Sequence, residues 1–74
     1  GAFTAMQSDI RLKDDINLVG KSPSGINIYT FKYKGDDKKY QGVMAHQVPH
    51  ASFVDDDGYL RVDYTKLDVE FKEV

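Results

Sequence analysis

The sequence predicts a small α+β domain: an antiparallel β-meander with a short helical segment at its N-terminal end and a helix at its C-terminal end. The first observation behind this class is an alternating run of apolar and polar residues over 26–34. The second is a set of polar turns that separates this run from two other strand-like stretches. The third is helical spacing of the apolar residues near the C-terminus. With 74 residues, the chain is long enough for one domain.

A helix start is predicted at Ser8 and Asp9. Either side chain can accept hydrogen bonds from the free backbone N–H groups of a first helical turn, so composition alone makes Ser8 a helix cap. Residues 1–7 are small, mixed and without a period, and we interpret them as the end of a larger upstream protein or as residues added for expression. The domain proper is expected to span residues 8–74.

Strand signals occupy the middle of the chain. It is extended over 16–21 and turns over 22–25, where Pro23 and Gly25 suit the second and fourth positions of a type I turn. In the following run, 26–34, alternation places three aromatic side chains on one face. These are Tyr29, Phe31 and Tyr33. In so small a domain we interpret the rings as core, rather than as a platform for sugars or bases.

A second strand is predicted over 40–48, after the polar loop 35–39, and Pro49 ends it. Its small residues Gly42 and Ala45 predict close packing against large side chains, namely the aromatic stripe of the preceding strand.

The last part of the chain turns over 55–58 and alternates again over 59–64. Thr65 and Asp68 then resemble a capping box, with Asp standing where Glu is commoner. The helix predicted after them carries three apolar residues at helical spacing on one side. These are Leu67, Phe71 and Val74. At about two to three turns it is too short to be stable alone in water, so we expect it to dock on the sheet or on another subunit.

Size and composition limit the classes of function. A chain this short gains only a few kcal/mol net from its core, and it has no cysteine, so oligomerisation is the expected source of further stability. Lack of cysteine also fits folding in a reducing cytoplasm. Ten basic residues are scattered among twelve acidic ones, which predicts no positive face for nucleic acid. We expect neither a membrane span nor a signal peptide.

One pair of residues could carry chemistry: Ser8 and Lys13. In a Ser–Lys dyad, a neutral lysine takes the proton of the serine hydroxyl. The pKa of that lysine must fall by about three units from roughly 10.4, which burial away from water can do. Residues five apart do not face one another on a straight helix, so the chain must hook for Lys13 to reach back to Ser8. The spacing alone is a weak signal.

A metal site is the other candidate. His46 and His50 have the i, i+4 spacing of a helical zinc pair, but Pro49 lies between them and position 46 is predicted in a strand. The acidic run 55–57 lacks the ligand spacing and the distal Glu of a calcium loop, so we interpret it as a solvated turn. We expect no metal and no other cofactor.

Three blocks of the sequence share their pattern and order with one family. Residues 8–16 (SDIRLKDDI) are similar to an opening S-D-x-R-x-K-x-x-I signature, and residues 40–48 (YQGVMAHQV) to a G-[hydrophobic]-[hydrophobic]-A-Q-E-V block. Residues 57–67 (DGYLRVDYTKL) look like a D-G-x-x-x-V-D-Y-[ST]-K-L segment. Together the blocks resemble the peptidase S74 family, the intramolecular chaperone domains that end phage tailspikes, endosialidases, neck appendages and L-shaped fibres.

This resemblance implies a homotrimeric chaperone that guides folding of the fibre before it and then cuts the bond between Gln7 and Ser8. Ser8 would be the nucleophile and Lys13 the general base, each chain cutting once, with Asp9 and the pair His46-Gln47 in support. Helix capping would then pass from Ser8 to Asp9. The implied partners are the other two copies and the upstream fibre or tailspike, with no nucleic acid and no membrane. The implied location is a virion tail-fibre precursor assembled in the bacterial host cytoplasm.

Two departures from the family pattern stand out. His46-Gln47 occupies the place of Gln-Glu, which removes a carboxylate, and the helix after Leu67 is shorter than the trimerising helix of many members. Two other functions stay open. One is a non-cleaving trimeric fibre-tip module that binds a host receptor glycan or protein through exposed tyrosines, and the other is a folding cap without chemistry.

Overall fold

The computed structural model describes residues 5–74, which form two antiparallel sheets connected by short turns. The strands are β1 Ala5–Gln7, β2 Lys13–Lys21, β3 Asn27–Tyr33, β4 Lys39–Gly42, β5 Ser52–Val54, β6 Leu60–Asp63 and β7 Lys72–Glu73. Helical structure is limited to four single 3₁₀ turns: Ile10–Leu12, Ala45–Gln47, Pro49–Ala51 and Tyr64–Lys66. The predicted α+β class is therefore wrong, because the described part of the chain is all-β and contains no α-helix.

The larger sheet has the strand order β2-β3-β4-β7, and the smaller sheet has the order β1-β6-β5. In the larger sheet β2, β3 and β4 form an antiparallel meander, with Lys13 of β2 paired to Tyr33 of β3 and Phe31 of β3 paired to Tyr40 of β4. In the smaller sheet β1 pairs with β6, so that the residues just before Ser8 are part of the folded structure.

The predicted C-terminal helix is absent. Asp63, not Thr65, caps a single 3₁₀ turn by accepting a hydrogen bond from the Thr65 N–H. Beyond that turn, burial alternates: Val69 is buried, while its neighbours Asp68 and Glu70 are exposed. This period of two is that of an extended chain, which ends as β7 paired to β4. The correction has a physical reason, since pairing with β4 satisfies backbone groups that an isolated two-turn helix would hold only marginally.

The N-terminal helical segment is a single 3₁₀ turn, not an α-helix. Asp9 caps it by accepting a hydrogen bond from the Arg11 N–H at 3.0 Å. Extended structure resumes at Lys13, three residues earlier than the sequence predicts. The strand predicted over 40–48 is also shorter, because the chain leaves the sheet after Gly42 and enters the turn Ala45–Gln47.

The hydrophobic core draws side chains from β6, from the segment between β4 and β5, and from the chain after β6. Its buried cluster consists of Val43, Ala45, Val48, Ala51, Val62, Tyr64 and Val69. The close packing predicted at Gly42 is present: a Cβ there would lie 2.5 Å from the Tyr64 hydroxyl and 3.3 Å from the Phe31 ring. None of the helical turns within residues 5–74 is long enough to cross a membrane.

Candidate functional site

Ser8 lies directly after β1 and is completely buried, with 0% of its surface exposed. Its N–H donates to the Leu60 carbonyl oxygen at 3.1 Å, which extends the pairing of β1 with β6. Its own carbonyl oxygen accepts from the Ala45 N–H at 2.9 Å. Two separate segments of the fold therefore fix the backbone on either side of the Ser8 side chain.

Lys13 is the first residue of β2 and is 4% exposed. Its Nζ donates to the Val43 carbonyl oxygen at 2.8 Å and lies 3.9 Å from the centroid of the Phe31 ring. Burial lowers the pKa of Lys13 from 10.5 to about 7. A substantial fraction of the amine is therefore neutral near neutral pH, as a general base requires.

Ser8 and Lys13 are connected through Tyr64 and Val43. The Val43 carbonyl oxygen accepts from Lys13, while the Val43 N–H donates to the Tyr64 hydroxyl at 3.0 Å. The Tyr64 hydroxyl in turn lies 3.4 Å from Ser8 Oγ. Within residues 5–74, no direct hydrogen bond joins Ser8 Oγ to Lys13 Nζ. The chain of hydrogen bonds from Lys13 to Ser8 therefore passes through two other residues, and the dyad is not closed.

Tyr64 is suited to orient the serine hydroxyl. It is 9% exposed, and burial raises the pKa of its phenol, so it stays protonated at neutral pH. Because its oxygen already accepts from the Val43 N–H, its own proton can be donated to Ser8 Oγ. In that arrangement the proton of the Ser8 hydroxyl is left for a base.

The carbonyl of Gln7 also has a side-chain partner. The Tyr33 hydroxyl, at the end of β3, donates to the Gln7 carbonyl oxygen. Burial raises the pKa of Tyr33, so this phenol is a donor over the whole neutral range. The Gln7–Ser8 peptide is therefore held on its oxygen side by Tyr33 and on its nitrogen side by Leu60.

Asp9 has a structural role next to the site. Its carboxylate is 3% exposed and forms a two-point ion pair with Arg11, with Nη2 to Oδ2 at 2.7 Å and Nε to Oδ1 at 3.0 Å. It also accepts from the Leu60 N–H at 3.0 Å. The Arg11 guanidinium is the main reason that the pKa of Asp9 lies far below its ordinary value. Asp9 therefore stays charged and ties the 3₁₀ turn to β6.

His46 and Gln47 are not drawn into this group. Both are exposed in the turn after Met44, although the adjacent Ala45 binds the Ser8 carbonyl oxygen through its backbone. Gln47 Oε1 accepts from the Tyr29 hydroxyl at 3.1 Å. The described residues show no hydrogen bond from the side chains of His46 or Gln47 to Ser8 or Lys13, and no group of three metal-ligating side chains.

The sequence does not identify Tyr33 and Tyr64 as site residues. Tyr33 is interpreted there as core, and Tyr64 only as part of the D-G-x-x-x-V-D-Y-[ST]-K-L segment. The one available signal for Tyr64 is its position in the third block of the family resemblance. Tyr33 has no such signal, because its contact with Gln7 spans 26 residues and depends on the packing of β1 beside β3.

Comparison with protein-family models, with curated proteins and with solved structures finds no match to this chain. The chemistry of Ser8, Lys13 and the two tyrosines, beside the resemblance of three sequence blocks, is therefore the basis for a functional proposal.

Proposed function

We propose that this chain is an intramolecular chaperone domain that ends a phage tail-fibre or tailspike precursor and releases itself by cutting between Gln7 and Ser8. It acts once per chain as a Ser–Lys autoprotease, and it works as a homotrimer in the cytoplasm of the bacterial host. The observation that most supports cleavage is the buried pair Ser8 and Lys13, linked through Tyr64 and Val43, with the pKa of Lys13 near 7.

Two facts favour this proposal over a folding cap without chemistry. First, the helix-capping role that composition gives to Ser8 belongs to Asp9, which accepts from the Arg11 N–H. Second, Lys13 is buried and forms no ion pair within residues 5–74: its Nζ donates to a carbonyl oxygen and a thioether sulfur, and the charge of Asp9 only partly offsets the effect of burial. A lysine buried in this way lowers stability when charged, and such strongly shifted groups concentrate at functional sites.

Cleavage would begin with neutral Lys13 taking the hydroxyl proton of Ser8. Ser8 Oγ then adds to the carbonyl carbon of Gln7, and the carbon–nitrogen bond breaks as the Ser8 nitrogen takes the proton from Lys13. Water hydrolyses the resulting ester, which frees the Gln7 carboxylate and restores the Ser8 hydroxyl. Before the first step, Lys13 Nζ must leave the Val43 carbonyl and reach Ser8 Oγ, so the present arrangement is a resting one.

That resting arrangement supports a link between release and assembly. If Lys13 must move before the dyad closes, contacts that form only when three chains have come together can trigger that movement. Loss of the chaperone would then leave the fibre kinetically trapped in its folded form. The resemblance to the S74 family is the source of the trimer and of the fibre in this proposal.

The direct test uses a precursor that carries the fibre sequence upstream of Ser8. Wild type should release a fragment that begins at Ser8, while Ser8→Ala and Lys13→Ala should stay uncut, as measured by intact mass and N-terminal sequencing over time. Lys21→Ala is the matched control, because Lys21 lies at the exposed far end of the same strand. Processing of Ser8→Ala at the wild-type rate would refute the dyad.

Sedimentation of the same samples tests the chaperone role. We expect trimers before cleavage and a trimeric fibre after it. A wild-type precursor that trimerises, binds host cells and keeps its C-terminal domain would instead favour the fibre-tip module.

A further inference from the structure

The hydroxyl of Tyr33 touches the atom on which charge would develop during cleavage. Addition of Ser8 Oγ to the Gln7 carbonyl carbon moves an electron pair onto the Gln7 carbonyl oxygen, and that oxygen already accepts the Tyr33 hydrogen bond. Donors placed in advance around a developing oxyanion are usually the largest single contribution to catalysis of acyl transfer. Nothing in the sequence pattern assigns this role to Tyr33.

We propose that Tyr33 is a catalytic residue of the Gln7–Ser8 cleavage, whose hydroxyl holds the Gln7 carbonyl oxygen and stabilises the oxyanion formed when Ser8 adds. The proposal rests on the proposed autoprotease function and deepens it. The oxygen remains bonded to the same carbon throughout addition and collapse, so a donor already in contact with it follows the charge without reorganisation of solvent.

The fold positions Tyr33 and the proposed base together. Lys13 and Tyr33 are directly paired across β2 and β3, so one ladder sets both residues. Phe31, two residues earlier on β3, lies under Lys13 Nζ and packs edge-on against the Tyr33 ring at 5.4 Å. Tyr40 on β4 contacts the other part of the Tyr33 ring at 5.5 Å between centroids. The phenol is thus fixed by three strands of one sheet.

The charge balance around Tyr33 suits a neutral donor. Burial is the main reason that its pKa is raised, and Tyr64 and Tyr40 add to the effect, while Arg61 opposes it. Arg61 belongs to β6 and lines an open pocket of about 220 Å³ together with Met6, Gln7 and Tyr33. The pocket is open, so water can enter it beside Gln7, as the hydrolysis that ends the reaction requires, while the Arg61 guanidinium is ion-paired with Asp55.

Each step conserves atoms and charge. The proton lost by Ser8 Oγ goes to the neutral Lys13 amine and then to the leaving Ser8 nitrogen, while the Tyr33 proton stays on its own oxygen. Collapse re-forms the Gln7 carbonyl as an ester, and one water molecule converts that ester to the Gln7 carboxylic acid and the Ser8 hydroxyl. The only co-reactant is water.

The test is the cleavage rate of a Tyr33→Phe precursor beside Tyr29→Phe. Each change removes one phenolic oxygen from strand β3, but Tyr33 donates to the Gln7 carbonyl oxygen, whereas Tyr29 donates to the exposed Gln47 side chain. Tyr33→Phe should slow release of the Ser8 fragment about 100- to 1,000-fold, while Tyr29→Phe should cleave at the wild-type rate. Equal rates for wild type and Tyr33→Phe would overturn the role of Tyr33.

A second measurement covers a Tyr33→Phe protein that fails to fold. Fluorotyrosine placed at position 33 alone keeps the ring and hydroxyl but makes the phenol a stronger donor, so cleavage should accelerate while the phenol remains protonated. A cleavage rate that does not change on fluorination of Tyr33 would reject the oxyanion role. Ser8→Ala in the same series separates the two proposals: an uncut Ser8→Ala with a normal Tyr33→Phe rejects only the tyrosine, whereas a wild type that never cuts rejects both.

Discussion

A serine and a lysine lie near each end of strand β2, but the two lysines have opposite environments. At its start, Ser8 and Lys13 are both buried, with 0% and 4% of their surfaces exposed. At its end, Ser22 is buried at 7% exposure, but Lys21 points into solvent. The two ends therefore differ mainly in the burial of the lysine and in the hydrogen bonds of the serine hydroxyl.

The hydroxyl of Ser22 is fully engaged in building a turn. It accepts from the Ile26 N–H at 3.1 Å and lies 3.2 Å from Ser24 Oγ, which donates to Asp68. Among residues 5–74, the hydroxyl of Ser8 has one hydrogen-bond partner, the Tyr64 hydroxyl at 3.4 Å. A buried serine whose oxygen serves no backbone group is available for chemistry, and this availability distinguishes Ser8 from Ser22.

The largest difference between the two ends should appear in the pH dependence of stability. Lys13 has a pKa of about 7 when folded and 10.5 as its ordinary value, so between these pH values the unfolded chain holds a proton that the folded chain has released. The free energy of unfolding should therefore rise by about 1.4 kcal/mol per pH unit across this window. The same gain is lost as the pH falls toward 7. From about pH 7 to about pH 9.5 the gain is about 3 kcal/mol.

Urea unfolding in a Ser8→Ala background, which would prevent the proposed cleavage, measures this gain in the free energy of unfolding. Lys13→Met should abolish the rise, whereas Lys21→Met should keep it. The upper limit of about pH 9.5 avoids titration of tyrosines in the unfolded chain. A rise that survives in Lys13→Met would show that Lys13 keeps its charge when buried.

The second difference between the two ends of β2 concerns the pH dependence of the cleavage rate. If Lys13 is the base, cleavage requires its neutral form, so the rate should level off above about pH 8 and fall about 100-fold by about pH 5. Release of the Ser8 fragment from the precursor, followed by mass spectrometry after a pH jump, gives this profile. Lys21→Ala should leave the profile unchanged. Replacing both His46 and His50 by Gln should leave the inflection near pH 7, and its disappearance would assign the titration to a histidine.

The local sequence pattern was sufficient to predict part of the fold. The alternation over residues 26–34 corresponds to β3, because a period of two is visible within a single strand. The C-terminal segment was assigned to the wrong class because Leu67 and Phe71 fit both a helical and an alternating pattern. What decides between them is distant in sequence: Gln41 pairs with Lys72, and Asp68 binds Ser24 44 residues away.

The candidate site likewise contains residues that the sequence could predict and residues that it could not. Ser8 and Lys13 lie five residues apart, so their spacing could be read directly and compared with a family pattern. Tyr64 reaches the Ser8 hydroxyl across 56 residues, and Tyr33 reaches the Gln7 carbonyl oxygen across 26 residues. Such contacts follow from how the two sheets pack, and a glycine at position 42 is needed for the Tyr64 hydroxyl to approach. No local period encodes that approach.

The smallest expected effect is on the stability of the two serine variants. Ser22→Ala should lower the free energy of unfolding by about 1 kcal/mol, since it leaves the partly buried Ile26 N–H without its acceptor. Ser8→Ala removes one contact of 3.4 Å to the Tyr64 hydroxyl and should lower it by less than Ser22→Ala does, because a hydrogen bond of that length is weak. Urea unfolding at pH 7 compares the two on a Lys13→Ala background, which would prevent the proposed cleavage of either protein. A larger loss for Ser8→Ala than for Ser22→Ala would mean that Ser8 is the structural serine, since a nucleophile held ready for attack contributes little to the fold that holds it.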